Sequence, residues 1–145
     1  MPTPPTIAKE WAGKRLGLPE TGPRSIARAG RRILAIIVDW AIATSISVVF
    51  FTEGETVLDR LGASNATATI LAFAVLQVAF ISTAGGSLGH LALGLRVVPL
   101  TPTWVGILRP LGRTALLCLF IPAVIWDRDQ RGMHDRLVGT VLVRR

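Results

Sequence analysis

Two long apolar runs dominate the chain. Ile33–Thr52 is 20 residues long and holds one ionisable side chain, Asp39. At a helical rise of about 1.5 Å per residue, such a run covers roughly 30 Å, the hydrocarbon thickness of a bilayer. Thr67–Ala84, 18 residues with Gln77 as its strongly polar member, predicts a second span of just sufficient length. A third apolar segment, Trp104–Trp126, is interrupted by Arg109, Pro110, Arg113 and Pro122. Its uninterrupted part, Thr114–Trp126, has 13 residues, which predicts a re-entrant or interfacial helix, with a full membrane helix as the alternative. Between these runs, the glycines of Gly85–Gly89 end a helix. The alternation of Leu91, Leu93, Leu95 and Val97 then predicts a short strand. Gly139-Thr-Val-Leu-Val predicts another, and Leu95–Val98 is expected to pair with Thr140–Val143, since neither strand is stable alone. Residues 1–23 show no periodicity and carry five of the nine prolines, so they read as a flexible tail before a domain over 24–145. The predicted fold class is an all-α integral membrane protein with two transmembrane helices, a third short apolar helix and two short strands.

Composition agrees with that picture. Half of the residues are hydrophobic and 17% are charged, against about 25% charged in a soluble domain. This excludes intrinsic disorder and argues against a water-soluble domain. A net charge of +7 calls for an anionic partner. The apolar runs select the bilayer and its anionic lipid headgroups over nucleic acid. Lysine and arginine number seven in residues 1–32, one in 53–66, three in 85–113 and five in 127–145. By the positive-inside rule both termini and the two strands lie on the cytoplasmic side, and the 53–66 loop lies outside. A signal peptide is excluded because the basic residues start too far in, the apolar run is too long and a second run follows. A single cysteine, Cys118, excludes an internal disulfide and a cysteine-built zinc site.

Asp39 is the first candidate for chemistry. A carboxylate facing lipid at membrane depth costs roughly 2.5–3.5 kcal/mol on insertion scales, so Asp39 is expected to face protein or water. Arg32, with Arg31 beside it, lies on the same helix face as Asp39 but about 10.5 Å away along the axis, too far for a tight pair. The expected partner of Asp39 is therefore an arginine from another segment, such as Arg96 or Arg109. On that basis Asp39→Asn should fail and Asp39→Glu should be partly tolerated. Ala35, Asp39, Ala43 and Ser47 follow at steps of four, a small-residue stripe that permits close helix approach, with Ala68 and Ala72 as facing partners and Gln77 able to hydrogen-bond across. Gly85-Gly-Ser87-Leu-Gly89 matches a nucleophile-elbow pattern, but it follows a membrane span rather than a strand. Its glycine-rich turn could hold a lipid phosphate or simply break the helix. His134-Asp135 reads either as a proton relay or as a solvated turn. The alternating charges of Asp127-Arg128-Asp129 read as a solvated loop. With no Walker loop, HExxH pair or dinucleotide fingerprint, no enzymatic activity, cofactor or metal is expected.

Arg32 before the first span, Asp39 inside it, the segment GGSLGHLALGLRVV after the second span and the ending RGMHDRLVGTVLV together resemble the RDD family of bacterial membrane proteins. The resemblance covers residues 28–143. Arg32 matches the family's arginine, Asp39 its first aspartate and Asp135 its second, with Asp129 as the alternative. His90 departs from the basic residue usual at that position, and the stretch between Arg109 and His134 is shorter than in many members. The proline-rich start and the Arg/Ala-rich usage are similar to actinobacterial members. The resemblance implies a small multi-pass inner-membrane protein, with transport of an unspecified ligand. Arg32, Asp39 and Asp135 are then the principal candidates, and Arg31, Gln77, Arg96, Arg109, Asp129 and His134 secondary ones. Two spans cannot enclose a pathway. A role in small-solute or ion transport therefore requires a homo-oligomer or other membrane subunits; the alternative is an accessory subunit that docks membrane proteins or anionic lipid.

Overall fold

The computed structural model describes residues 11–101, 106–119 and 131–145. Its longest elements are α1 (Ala29–Phe51) and α3 (Ala66–Ala84), linked through the short helix α2 (Val57–Gly62). Both long helices are apolar and long enough to cross a membrane. They coincide with the two expected runs, and α1 also takes in Arg31 and Arg32, which are good helix formers. The ends follow from local chemistry. Asn65 caps α3 by accepting from the Ala68 amide at 3.1 Å, and Thr56 and Asp59 form a capping box on α2. Gly85 ends α3 in the left-handed conformation that favours glycine (φ 74°).

Each long helix buries one face at steps of four: Ala35, Asp39, Ala43 and Ser47 on α1, and Thr69, Phe73, Gln77 and Ile81 on α3. The small-residue stripe of α1 is thus the contact face. Ala72 packs against the cluster that contains Ala43, as expected, but the most buried α3 positions lie one residue further on, where Phe73 packs with Ala43 and stacks on Trp40 at 4.8 Å between ring centroids. The opposite faces present large apolar side chains: Ile37, Val49, Phe50, Leu71 and Val75 are all more than half exposed. Such continuous apolar faces suit lipid or another protein rather than water.

The remaining elements lie toward the end of the helix pair formed by the start of α1 and the end of α3. They are α4 (Leu88–Ala92), β1 (Leu95–Pro99), α5 (Leu108–Cys118), α6 (Met133–Leu137) and β2 (Thr140–Arg144). Of these, α5 reaches along the pair until Leu117 packs on Ala43 and Phe73. The two strands pair antiparallel, with Leu95 opposite Arg144 and Pro99 opposite Thr140, as expected from their patterns. Leu95, Val97 and Leu142 pack with Ala27, Ala35 and Ile81, which fastens the sheet to both long helices. Part of the stretch expected as a flexible tail is folded: Ala12, Leu16 and Leu18 pack on Ile26, Val141 and Val143, and the Trp11 indole donates to the Leu18 carbonyl at 2.9 Å. Of the third apolar segment, α5 is described, and at about 1.5 Å per residue it is too short to cross a bilayer. Pro110 sits in its first turn, where no amide donor is needed. Residues 104–105 and 120–126 of this segment lie outside the described residues, as does Asp129.

Candidate functional site

The Asp39 carboxylate is buried between three elements. Ser87 donates its hydroxyl to Oδ2 at 2.5 Å, Gln77 donates its amide to the same oxygen at 2.9 Å, and the Gly89 backbone N–H donates to Oδ1 at 2.7 Å. All three partners are neutral. The expected arginine partner is therefore corrected: Arg96 lies exposed on β1, and Arg109 donates to the Thr101 hydroxyl at 2.9 Å. The cradle replaces an ion pair because α4 starts directly beside Asp39 and brings its own unpaired amides. Glycine at position 89 is what allows this approach, since a Cβ there would overlap the Ala35 carbonyl oxygen.

Ser87 is the N-cap of α4. Its oxygen accepts from the His90 amide at 3.2 Å, and His90 Nδ1 accepts from the Ser87 amide at 3.2 Å. That second bond places the neutral ring's own proton on Nε2. The Ser87 hydroxyl also lies 2.7 Å from His90 Nδ1; its single proton can serve Asp39 or His90 but not both at once, so the three buried side chains form a chain of contacts that shares one hydroxyl proton. Serine stands in the middle of this chain, not at its end, and follows a helix. It is a cap, and the elbow pattern has no strand–turn–helix to sit on. Burial, reinforced by Arg113 against the opposing pull of Asp135, lowers the His90 pKa to about 3, so the ring is neutral near pH 7.

A second cluster occupies the same end of the molecule. Asp135, fully buried in α6, accepts from Arg113 Nε of α5 at 2.6 Å through Oδ1. Its Oδ2 faces Arg32 Nη1 at 3.5 Å and His134 Nε2 at 3.6 Å. The Thr140 hydroxyl donates to Oδ1 at 3.3 Å. Arg32 also donates to the Ala27 carbonyl at 2.9 Å and the Leu142 carbonyl at 3.3 Å, binding α1 to β2. Burial would raise the Asp135 pKa, but Arg113, His134 and Arg32 more than offset it and hold the carboxyl at about 2. His134 and Asp135 are buried, so the solvated-turn reading is corrected.

The structure thus brings Arg32, Asp135 and His134 together, and places Gln77 on Asp39. Arg31 is exposed and joins neither cluster. Ser87, Gly89, His90 and Arg113 were not among the candidate residues. A signal for two of them was present, because Ser87 and His90 stand at capping-box spacing. The two clusters communicate electrostatically: the charges of Arg113, Asp135, Arg32 and His134 all act on the His90 ring. Four buried polar atoms at the junction of α3, α5 and α6, namely Gln77 Oε1, Arg113 Nη1, Thr114 Oγ1 and Asp135 Oδ2, make no hydrogen bond among the described residues. Among the described residues no group of three or more His, Cys, Asp or Glu is placed to hold a metal ion.

Comparison with curated proteins and with solved structures returned no match. The RDD family model matches residues 26–139, a stretch that contains Arg32, Asp39 and Asp135, both apolar helices and every ionisable member of the two clusters. The chain belongs to the RDD family, as a membrane-type protein with two apolar helices.

Proposed function

We propose that the protein is a proton- or cation-handling component of a transport assembly in the bacterial inner membrane. In this reading α1 and α3 span the bilayer, and both termini and the two-stranded sheet lie on the cytoplasmic side, where the arginines concentrate. The observation that carries the reading is the buried Asp39–Ser87–His90 chain, which runs from an ionisable group within an apolar helix to an imidazole that feels the charges of Arg113, Asp135 and Arg32. An intramembrane acid tied to a hydroxyl and an imidazole is the arrangement proton relays use. The unbonded Gln77 Oε1, Arg113 Nη1 and Thr114 Oγ1 add weight, since each costs about 1–3 kcal/mol if the junction serves stability alone. Two spans cannot enclose a path, so the unit is a homo-oligomer or a complex with another membrane protein. Ser87 does not serve as a nucleophile in this reading, because it is committed to Asp39 and to capping α4.

The experiment is purification in mild detergent, native mass measurement, and reconstitution into vesicles loaded with a pH-sensitive dye and challenged with sodium, potassium and proton gradients. An oligomer that moves protons or cations faster than empty vesicles is expected. A stoichiometric foreign subunit with no flux supports the second reading, an accessory subunit. The apolar outer face of α1, with Ile37, Val49 and Phe50, would then be its docking surface.

A further inference from the structure

We infer that a basic cavity at the end of α3 binds the phosphate of an anionic phospholipid headgroup. The cavity measures about 570 Å³ and its walls carry four arginines: Arg24, Arg96, Arg144 and Arg145. No aspartate or glutamate lines it. None of the four guanidinium groups has an acidic partner among the described residues. Four arginines along the walls of one hollow, three of them exposed, make it strongly positive, and an anion relieves their mutual repulsion. Guanidinium groups suit phosphate in particular, because their planar forks donate pairwise to its oxygens.

Backbone hydrogen bonds fix the segments that carry two of these residues. Arg24 has φ 65°, in the left-handed region that a non-glycine residue rarely adopts. It is kept there by its amide bond to the Arg144 carbonyl at 2.8 Å, while the Arg144 amide bonds back to Ser25 at 2.9 Å. Arg96 lies over Gly85, where a Cβ would meet its Nε at 2.9 Å, so the glycine that ends α3 also makes room for this arginine. Ser82 lines the cavity, and its buried hydroxyl has no hydrogen-bond partner among the described residues. The carbonyl end of α3 contributes about half a negative charge, far less than the four arginines supply.

The location selects the source of the phosphate. The cavity wall includes Ile81, Ser82 and Thr83, the last turn of a helix long and apolar enough to cross a bilayer. If that helix spans, its end stands at headgroup depth. The inference rests on this placement of α3 but is independent of any ion movement. The site would hold the protein at one depth and give it a preference for anionic lipid, through specific groups rather than through net charge.

The test uses the full chain purified from vesicles of phosphatidylcholine with phosphatidylglycerol, and counts retained lipid by native mass spectrometry. The variant is Arg96→Gln with Arg144→Gln. The control is Arg28→Gln with Arg31→Gln, which removes the same charge from exposed positions outside the cavity. Melting in detergent confirms that each variant is folded. Wild type and control should each retain phosphatidylglycerol, and the cavity variant should bind it about fivefold more weakly per arginine removed. Equal loss in variant and control, or no loss in either, overturns the inference. Stabilisation of the wild type by inorganic phosphate, lost in the cavity variant and without retention of phosphatidylglycerol, overturns the lipid source in favour of a soluble phosphate anion.

Discussion

Ser87, at the start of α4, donates its hydroxyl to Asp39 of α1 over 2.5 Å, and His90 Nδ1 lies 2.7 Å from the same hydroxyl. One small group therefore links an acid in an apolar helix to a buried neutral imidazole. This contact also changes what substitution at Asp39 should do. The Ser87 hydroxyl can accept a hydrogen bond as well as donate one, and Gln77 can turn its amide, whose Oε1 is unbonded, toward a new donor. The Gly89 amide would still donate to the remaining carbonyl oxygen. Asp39→Asn is therefore expected to fold to near wild-type yield. Asp39→Glu adds a methylene against Gly89 and Ala35, where space is absent, and should lose roughly 1–3 kcal/mol. Thermal melting in detergent ranks the two; Glu melting above Asn would contradict the cradle.

Gly89 tests the same contact from the backbone side. Gly89→Ala drives a methyl into the Ala35 carbonyl and toward Asp39, so folded yield should collapse. Gly30→Ala is the comparison: this glycine lies in α1 with open space around it, and alanine should stabilise the helix by about 0.5–1 kcal/mol. Fluorescence-detected size exclusion of the two variants checks both signs.

Much of this architecture is legible in the sequence, because it is written in periodicity. The step-of-four stripe Ala35, Asp39, Ala43 and Ser47 is the buried face of α1, and the Leu95–Val98 and Thr140–Val143 runs do pair. The residues around Asp39 are not legible in that way. Ser87 and Gly89 lie 48 and 50 positions away, and one of the three bonds comes from a backbone amide, which leaves no side-chain signature. A charged group within an apolar run calls for an opposite charge by simple electrostatics. A helix start with unsatisfied N–H groups serves equally well, and it is visible only once α4 is placed. Arg113 carried a signal about topology, but its role as the closest partner of Asp135 depends on how α5 meets α6.

The Asp135 cluster predicts strong coupling. Asp135→Asn leaves Arg113 and Arg32 buried without their carboxylate and should cost about 3–5 kcal/mol. Arg113→Met alone should also be severe, because Asp135 loses its 2.6 Å partner. In a double-mutant cycle the two losses should be strongly non-additive, with a coupling of about 1–3 kcal/mol. Additive losses would mean that the pair does not act as a unit.

Acid sensitivity follows from two buried groups. His90 is held neutral with a pKa of about 3, below its ordinary value of 6.5. The unfolded chain therefore takes up a proton below pH 6.5 that the folded chain refuses, and stability falls as pH drops from 6.5 toward 3 by up to about 1.4 kcal/mol per pH unit. Asp135, lowered from 3.8 to about 2, adds a further loss as pH falls through that lower window. Melting temperature measured from pH 7.5 to 4.5 should fall for the wild type and fall less for His90→Gln. Parallel curves would show that His90 is not the source.

The central claim is that Asp39, through Ser87 and His90, handles a proton or cation rather than merely holding two helices together. The direct measurement is the rate of dye response to imposed sodium, potassium and proton gradients, in vesicles holding equal amounts of folded wild type and Asp39→Asn. The account predicts that the variant melts like the wild type while its flux falls to that of empty vesicles. Equal flux from both proteins would contradict it and leave Asp39 as a packing residue.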